Sequence, residues 1–303
     1  MDTQTLYKVD WTIGSHISFC GGINPSLSEA IARGMYCMQI FMGSPRSYKR
    51  NYIFDEDIEA CKKLLVRFPT HVFSHFPYIA NLAGKSNKNG LAWIGNSTID
   101  RGVYAMLNGL EYELGIIARI GKGVVIHPGS FPDRELGHKA VATTINKIKF
   151  TEGGMLLLEN CAGEGNKLCR DFTEIQSVLS NLDDCQREHV GVCVDTAHIW
   201  GCGDYDLRDP EEIVRMFSDF DNIIGLNNFK LLHLNDSKVL LGSKKDRHED
   251  IGVGEIWGKS YDSLRVLLDM CEKNGIPIIL ETGGPCMKTI SQLNIAKILQ
   301  TRE

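Results

Sequence analysis

Eight short apolar runs recur along the chain: WTIGSHIS, CMQIF, HVFSH, GVVIH, MLLLE, VGVCVD, FKLLHLND and IPIILE. They are nearly continuous in Val, Ile and Leu, as strands buried on both faces of a parallel sheet are. The segments between them read as helices. DEDIEACKKLLVRF (55–68) has acids at its start and apolar residues near a helical period. Asp209-Pro210-Glu211-Glu212 opens another helix with a capping Asp and a proline in the first turn. IDRGVYAMLNGLEYELGIIARIGKG (99–123) predicts a long helix closing at Gly121 or Gly123. Strand alternating with helix predicts parallel βαβ units. Eight such units in 303 residues predict a single α/β domain, a (β/α)8 TIM barrel, with residues 1–10 as an N-terminal extension. Periodicity alone also allows an open sheet.

The strand ends favour the barrel. Seven of the eight runs carry Asp, Glu or His at or near their C-terminal ends, and only CMQIF lacks one. A parallel barrel gathers those ends around one mouth, where such enzymes place their chemistry.

Bulk properties set the remaining bounds. A hydrophobic fraction of 43% supplies a large core, and no apolar stretch is long enough to span a bilayer. The segment MDTQTLYKVD has no basic region followed by an apolar run, so no signal peptide is expected. The ten cysteines include no C-x2-C pair, and several sit in apolar runs, as Cys37 and Cys193 do. They read as buried thiols in a reducing, intracellular setting.

His75, His127, Glu159, Asp195, His198, His233 and Glu281 stand at the strand ends, with Asp246 and His248 in the loop after the seventh strand. These are nitrogen and oxygen donors of the kinds that bind zinc or manganese. Asp246 and His248 are two residues apart, so an extended loop can point both the same way. Singly, each has a plainer reading: a histidine hydrogen-bonded in the core, or a carboxylate capping a helix. Together, four carboxylates crowded at one mouth repel and are costly to desolvate, and cations are the natural compensation. Nine donors exceed the four that one zinc takes, which points to several metals. The net charge of −5 does not advertise a nucleic-acid binder. It contains those four carboxylates, however, and three divalent ions would bring it to +1.

The segments GSHISFCGG (14–22), SHFPYIANL (74–82), VIHPGS (125–130), LLENCAGEG (157–165), GVCVDTAHIWGCGDYDLR (191–208), LHLNDSK (232–238), KDRHEDIGVGEI (245–256) and ILETGGP (279–285) occur in that order. With them the chain resembles the endonuclease IV family of AP endonucleases over nearly its whole length. The resemblance implies a TIM barrel with three zinc ions; the mixed nitrogen and oxygen donors also admit manganese in place of one. His75, His127 and Glu159 would hold the first. Glu159 would bridge to a second, completed by Asp195, His233 and Glu281, and His198, Asp246 and His248 would hold the third. It further implies hydrolysis of the phosphodiester 5′ of an abasic site in double-stranded DNA, as in base excision repair, leaving a 3′-hydroxyl and a 5′-deoxyribose phosphate. Zinc would make hydroxide available near neutral pH, and Glu281 and Glu159 would be the catalytic carboxylates.

By the same resemblance Arg46, Tyr78 and Ile79 match side chains pushed into the minor groove at the lesion. From the residues alone, Arg46 also reads as a solvated loop charge, and Tyr78 and Ile79 as core. His16 reads as lining of the pocket. Phe131 and Glu164 depart from the family's usual polar or amide residues and bear on substrate preference. The segment 85–96, with Lys85 and Lys88, reads as a DNA contact or a plain insertion. A monomer that accepts a duplex and touches no membrane is expected. The rival reading is a metal-dependent sugar isomerase or epimerase on the same barrel, and the third donor set and the residues of the wedge oppose it. A non-catalytic lesion binder is opposed by the complete donor set.

Overall fold

The computed structural model describes residues 12–84 and 101–281. The N-terminal extension (1–10), the 85–96 segment and the GGP of ILETGGP lie outside the described residues. Strands β1 (Ile13–His16), β2 (Cys37–Ile40), β3 (His71–His75), β4 (Gly123–Ile126), β5 (Leu156–Glu159), β6 (Val190–Asp195) and β7 (Phe229–His233) follow one another. Two short strands come next, β8 (Asp236–Ser237) and β9 (His248–Glu249), and then β10 (Ile278–Leu280). Helices α1 (Ile23–Ala32), α2 (Asp55–Arg67), α3 (Arg101–Ile117), α4 (Arg134–Ile145), α5 (Phe172–Leu179), α6 (Asp184–Arg187), α7 (Thr196–Cys202), α8 (Pro210–Ile223) and α9 (Asp262–Lys273) lie between and beside them. All strands but β8 and β9 pair in parallel and close a barrel, β10 joining β7 to β1. The open-sheet alternative is thereby excluded.

The strands alternate in the way a pleated backbone demands. Met38, Val72, Val124, Leu156, Val192, Leu232 and Ile278 join the main core, which the helices also build. Their neighbours in the chain, Cys37, Phe73, Val125, Leu157, Cys193, Leu231 and Ile279, form a separate cluster inside the barrel. Gly14 stands in register with Cys37 and Ile279 and completes this layer. A Cβ on Gly14 would lie 1.5 Å from the Cys37 carbonyl oxygen, so no other residue fits. Two residues beyond each member lie His16, Gln39, His75, His127, Glu159, Asp195, His233 and Glu281. A polar ring, one residue from each strand, therefore sits about 7 Å above an apolar floor.

The helix readings hold at α2 and α8. Asp209 caps α8 by accepting from the Glu211 amide at 2.9 Å, with Pro210 in the first turn. The long helix ends earlier than expected. α3 stops at Ile117, and Gly121 is not a left-handed cap. Gly121 instead passes beneath β3, where a Cβ would meet the Val72 carbonyl at 2.6 Å. Phe131 is buried against Gly137 and so packs the core. Nine cysteines among the described residues are free thiols, and most are buried. No helix among the described residues is long and apolar enough to cross a membrane.

Candidate metal centre

The polar ring brings the strand-end residues together, and two loops complete it. Asp195 ends β6 and caps α7, its Oδ1 accepting from the His198 amide at 2.9 Å. The capping role and the site role are thus one arrangement: the cap fixes the turn that presents His198. Asp246 and His248 arrive on an extended segment. β9 pairs antiparallel with β8, placing His248 beside Ser237, and the Lys238 amide donates to the Arg247 carbonyl at 2.9 Å. His248 Nε2 stands 3.1 Å from Asp246 Oδ1, and His198 Nε2 stands 3.3 Å from Asp246 Oδ2. The extended loop does point both residues the same way.

Three donor groups converge closely enough to hold a metal: His75 with His127 and Glu159; Glu159 with Asp195, His233 and Glu281; and Asp195 with His198 and His248. The first two coincide with the sets the resemblance implies. The third contains Asp195 where Asp246 was expected. Asp246 turns one oxygen to each histidine, so no single one of its oxygens closes the group. Asp195, like Glu159, stands between two groups.

The proton positions show that these groups suit a cation. A carbonyl oxygen can only accept, so His75 Nδ1 donates to the Phe76 carbonyl at 2.7 Å. The Nε2 of a neutral His75 then aims its lone pair at Glu159 Oε2, 3.1 Å away. His198 repeats the pattern: Nδ1 donates to the Asn160 carbonyl at 2.8 Å, and Nε2 faces Asp246. His233 donates from Nε2 to Gln39 Oε1 at 2.9 Å, leaving Nδ1 at 3.0 Å from Glu159 Oε1. His248 Nε2 is buried and faces Asp246 Oδ1 at 3.1 Å and Asp195 Oδ2 at 3.5 Å. Lone pairs facing carboxylates repel unless a positive charge lies between them, and donors oriented through their far nitrogen are how proteins prepare histidine for metal.

Without metal, the ring takes protons instead. Burial opposes charge on His198, yet Asp195 and Asp246 raise it to about 10. Burial likewise opposes charge on His248, and Asp195 and Asp246 raise it to about 9. Burial pushes the Glu281 carboxyl up, but His233 and His248 hold it down at about 2. Burial dominates at His127 and His16, each lowered to about 4. His16 joins none of the donor groups. It faces Gln39 Nε2 at 3.1 Å and packs on Phe41, as a lining residue should.

Four participants were not anticipated. Gln39, from the one strand with no ionisable end, donates to Glu281 Oε1 at 3.0 Å and accepts from His233. Counting two residues on from Cys37, as from Phe73 to His75, would have found it. Asn160 accepts the Asp195 amide at 2.6 Å. Asn235 donates to Asp195 Oδ2 at 2.6 Å and to Glu281 Oε2 at 3.1 Å, joining the ends of β6 and β10. Asp236 accepts the amides of Ser237, Gly252, Gly254, Ile256 and Trp257. That cradle explains the GVGEI stretch: a Cβ on Gly254 would lie 2.5 Å from Asp236 Oδ1. Glu164 also gains a role, accepting the Asp246 amide at 2.9 Å while pairing with Lys167 at 2.7 Å.

The candidate wedge lies on one side of the mouth. Tyr78 and Ile79 are 54% and 45% exposed, which overrides their reading as core. The Tyr78 ring meets His75 edge-on, with centroids 5.2 Å apart. Its amide donates to the Pro45 carbonyl at 3.1 Å, so the exposed Arg46 stands in the adjoining loop.

A family model of xylose isomerase-like TIM barrels matches residues 27–260. A curated relative from Halothermothrix orenii, named "Probable endonuclease 4", is 34% identical over 89% of this chain and 92% of its own length. The crystal structure of endonuclease IV from Thermus thermophilus superposes with a TM-score of 0.78 at 26% identity, covering 96% of this chain and all of that one. A D-tagatose 3-epimerase-like protein superposes with a TM-score of 0.64 at 15% identity, a likeness of fold alone. Sequence identity of that extent across nearly the whole length of both chains places this protein in the endonuclease 4 family of xylose isomerase-like TIM barrels, a family of hydrolytic nucleases.

Proposed function

We propose that this protein hydrolyses the phosphodiester 5′ of an abasic site in duplex DNA, leaving a 3′-hydroxyl and a 5′-deoxyribose phosphate. The observation that carries the reading is the convergence of three donor groups, linked through Glu159 and Asp195, beneath an exposed aromatic and apolar pair. His75, His127 and Glu159 would hold one zinc, Glu159, Asp195, His233 and Glu281 a second, and His198 and His248 a third with Asp195 or Asp246. When bound, the metals supply a nucleophile near neutral pH and share the charge that develops on phosphate. Glu281 orients the attacking water or accepts its proton. Gln39 and Asn235 fix the Glu281 carboxylate by donating to one oxygen each. Tyr78 and Ile79 present apolar surface to the gap left by a missing base, where unstacking costs least. Arg46 enters the same groove.

The test is incision of a duplex with one tetrahydrofuran abasic analogue by protein used as purified, with elemental analysis of the same sample. The analogue cannot undergo β-elimination, so only hydrolysis cuts it. A 5′ cut with an extendable 3′ end and about three metals per chain is the expected result. A fully metallated sample that leaves the duplex whole defeats the reading and turns attention to sugar phosphates. Arg46→Ala should weaken binding to abasic duplex by about tenfold and to intact duplex by less. Equal weakening of both would reduce Arg46 to a general phosphate contact.

A further inference from the structure

Arg50 follows the exposed Arg46 by four residues, but its side chain is almost wholly buried. Its guanidinium donates from Nη1 to Glu113 Oε1 at 2.8 Å, from Nη2 to the Ser44 carbonyl at 3.0 Å and from Nε to the Tyr48 carbonyl at 3.3 Å. Nη2 also donates to the Ser47 carbonyl. Three carbonyls of the segment around Arg46 therefore converge on one planar fork, which a lysine could not reproduce. Glu113, fully buried on α3, spends its other oxygen on Ser74 Oγ at 2.9 Å, and Ser74 precedes His75. α3 shapes the seat for this loop. A Cβ on Gly109, one turn before Glu113, would stand 2.9 Å from the Tyr48 carbonyl. From the other side, Tyr48 Oη donates to the Ile79 carbonyl at 2.8 Å.

We propose that Arg50 is a positioning residue that holds the 44–48 loop on α3, so that Arg46 stands at a fixed distance from Tyr78, Ile79 and the His75 strand. The buried cation is bonded to carbonyls on both sides of Arg46 and to Glu113, and it lies 5.5 Å from the centroid of the Phe76 ring. What it fixes is the backbone that presents the exposed arginine. The proposal rests on the reading of Arg46 as a DNA contact.

A double-mutant cycle on the full chain tests this, with incision of the tetrahydrofuran duplex and metal content as readouts. Arg50→Lys keeps a charge for Glu113 but loses the fork. It should raise KM about tenfold, with kcat within threefold and metal content unchanged. Arg46→Ala should do the same, and the double variant should be no worse than either alone. Gly109→Ala, which displaces the Tyr48 carbonyl without touching a charge, should follow the same pattern and serves if Arg50→Lys fails to fold. Losses that multiply in the double variant, a fall in kcat with lost metal, or an Arg46→Ala without effect would each overturn the proposal. Wild-type protein that is metallated and cuts nothing would instead overturn the nuclease reading itself, and this inference with it.

Discussion

Glu281→Gln should lower kcat for abasic-site incision by about 10³-fold or more while duplex affinity stays within threefold. The substitution is nearly isosteric. A glutamine carbonyl can still accept from Gln39 or Asn235, so the end of β10 keeps its place. What disappears is the negative charge that His233, at 3.5 Å, and His248, at 3.8 Å, both face. Against its burial, His233 and His248 hold this carboxyl below its ordinary value, and the substitution removes the charge they face. Kinetics and a binding titration on the same preparation decide the matter. A parallel collapse of affinity and rate would make Glu281 a structural residue.

Asp236→Ala should be the most damaging single change outside the ring. Five backbone amides converge on this carboxylate at 2.8–3.3 Å, and alanine leaves them without an acceptor. Each orphaned buried amide is expensive, and we expect a loss of about 3 kcal/mol or more in denaturant unfolding. The damage should be local in character. β8 holds β9, and β9 presents His248. Metal content should therefore fall by about one ion per chain, the one nearest His198 and His248. A variant that unfolds earlier but retains all its metal would show that the 246–249 segment is held without the cradle.

Much of this was legible in the sequence, and the reason is geometric. A parallel barrel turns chain order into a ring, so ionisable residues at successive strand ends meet once the sheet closes, and the closure itself came from the structure. Helix starts were readable for the same kind of local reason: Asp209 and Pro210 act within one turn. Gln39 escaped because an amide at a strand end carries no mark of its own; its meaning comes from His233 and Glu281 on strands far away in sequence. Asp236 escaped because its partners are backbone amides, which every residue has. Whether Asp195 or Asp246 faces His198 and His248 depends on side-chain torsion, which spacing does not encode. Gly121 misled because glycine serves both left-handed caps and close crossings, and only the neighbouring Val72 carbonyl distinguishes them.

The apolar floor under the polar ring has a further consequence. Phe73, Leu157, Leu231 and Ile279 stop the lumen from below, so among the described residues the barrel is a cup that opens at the polar ring. Whatever occupies the cup, water included, must come and go by the entrance through which substrate arrives. On the proposed function, a duplex laid across that rim covers the same entrance, so it is both reactant and stopper while it is bound.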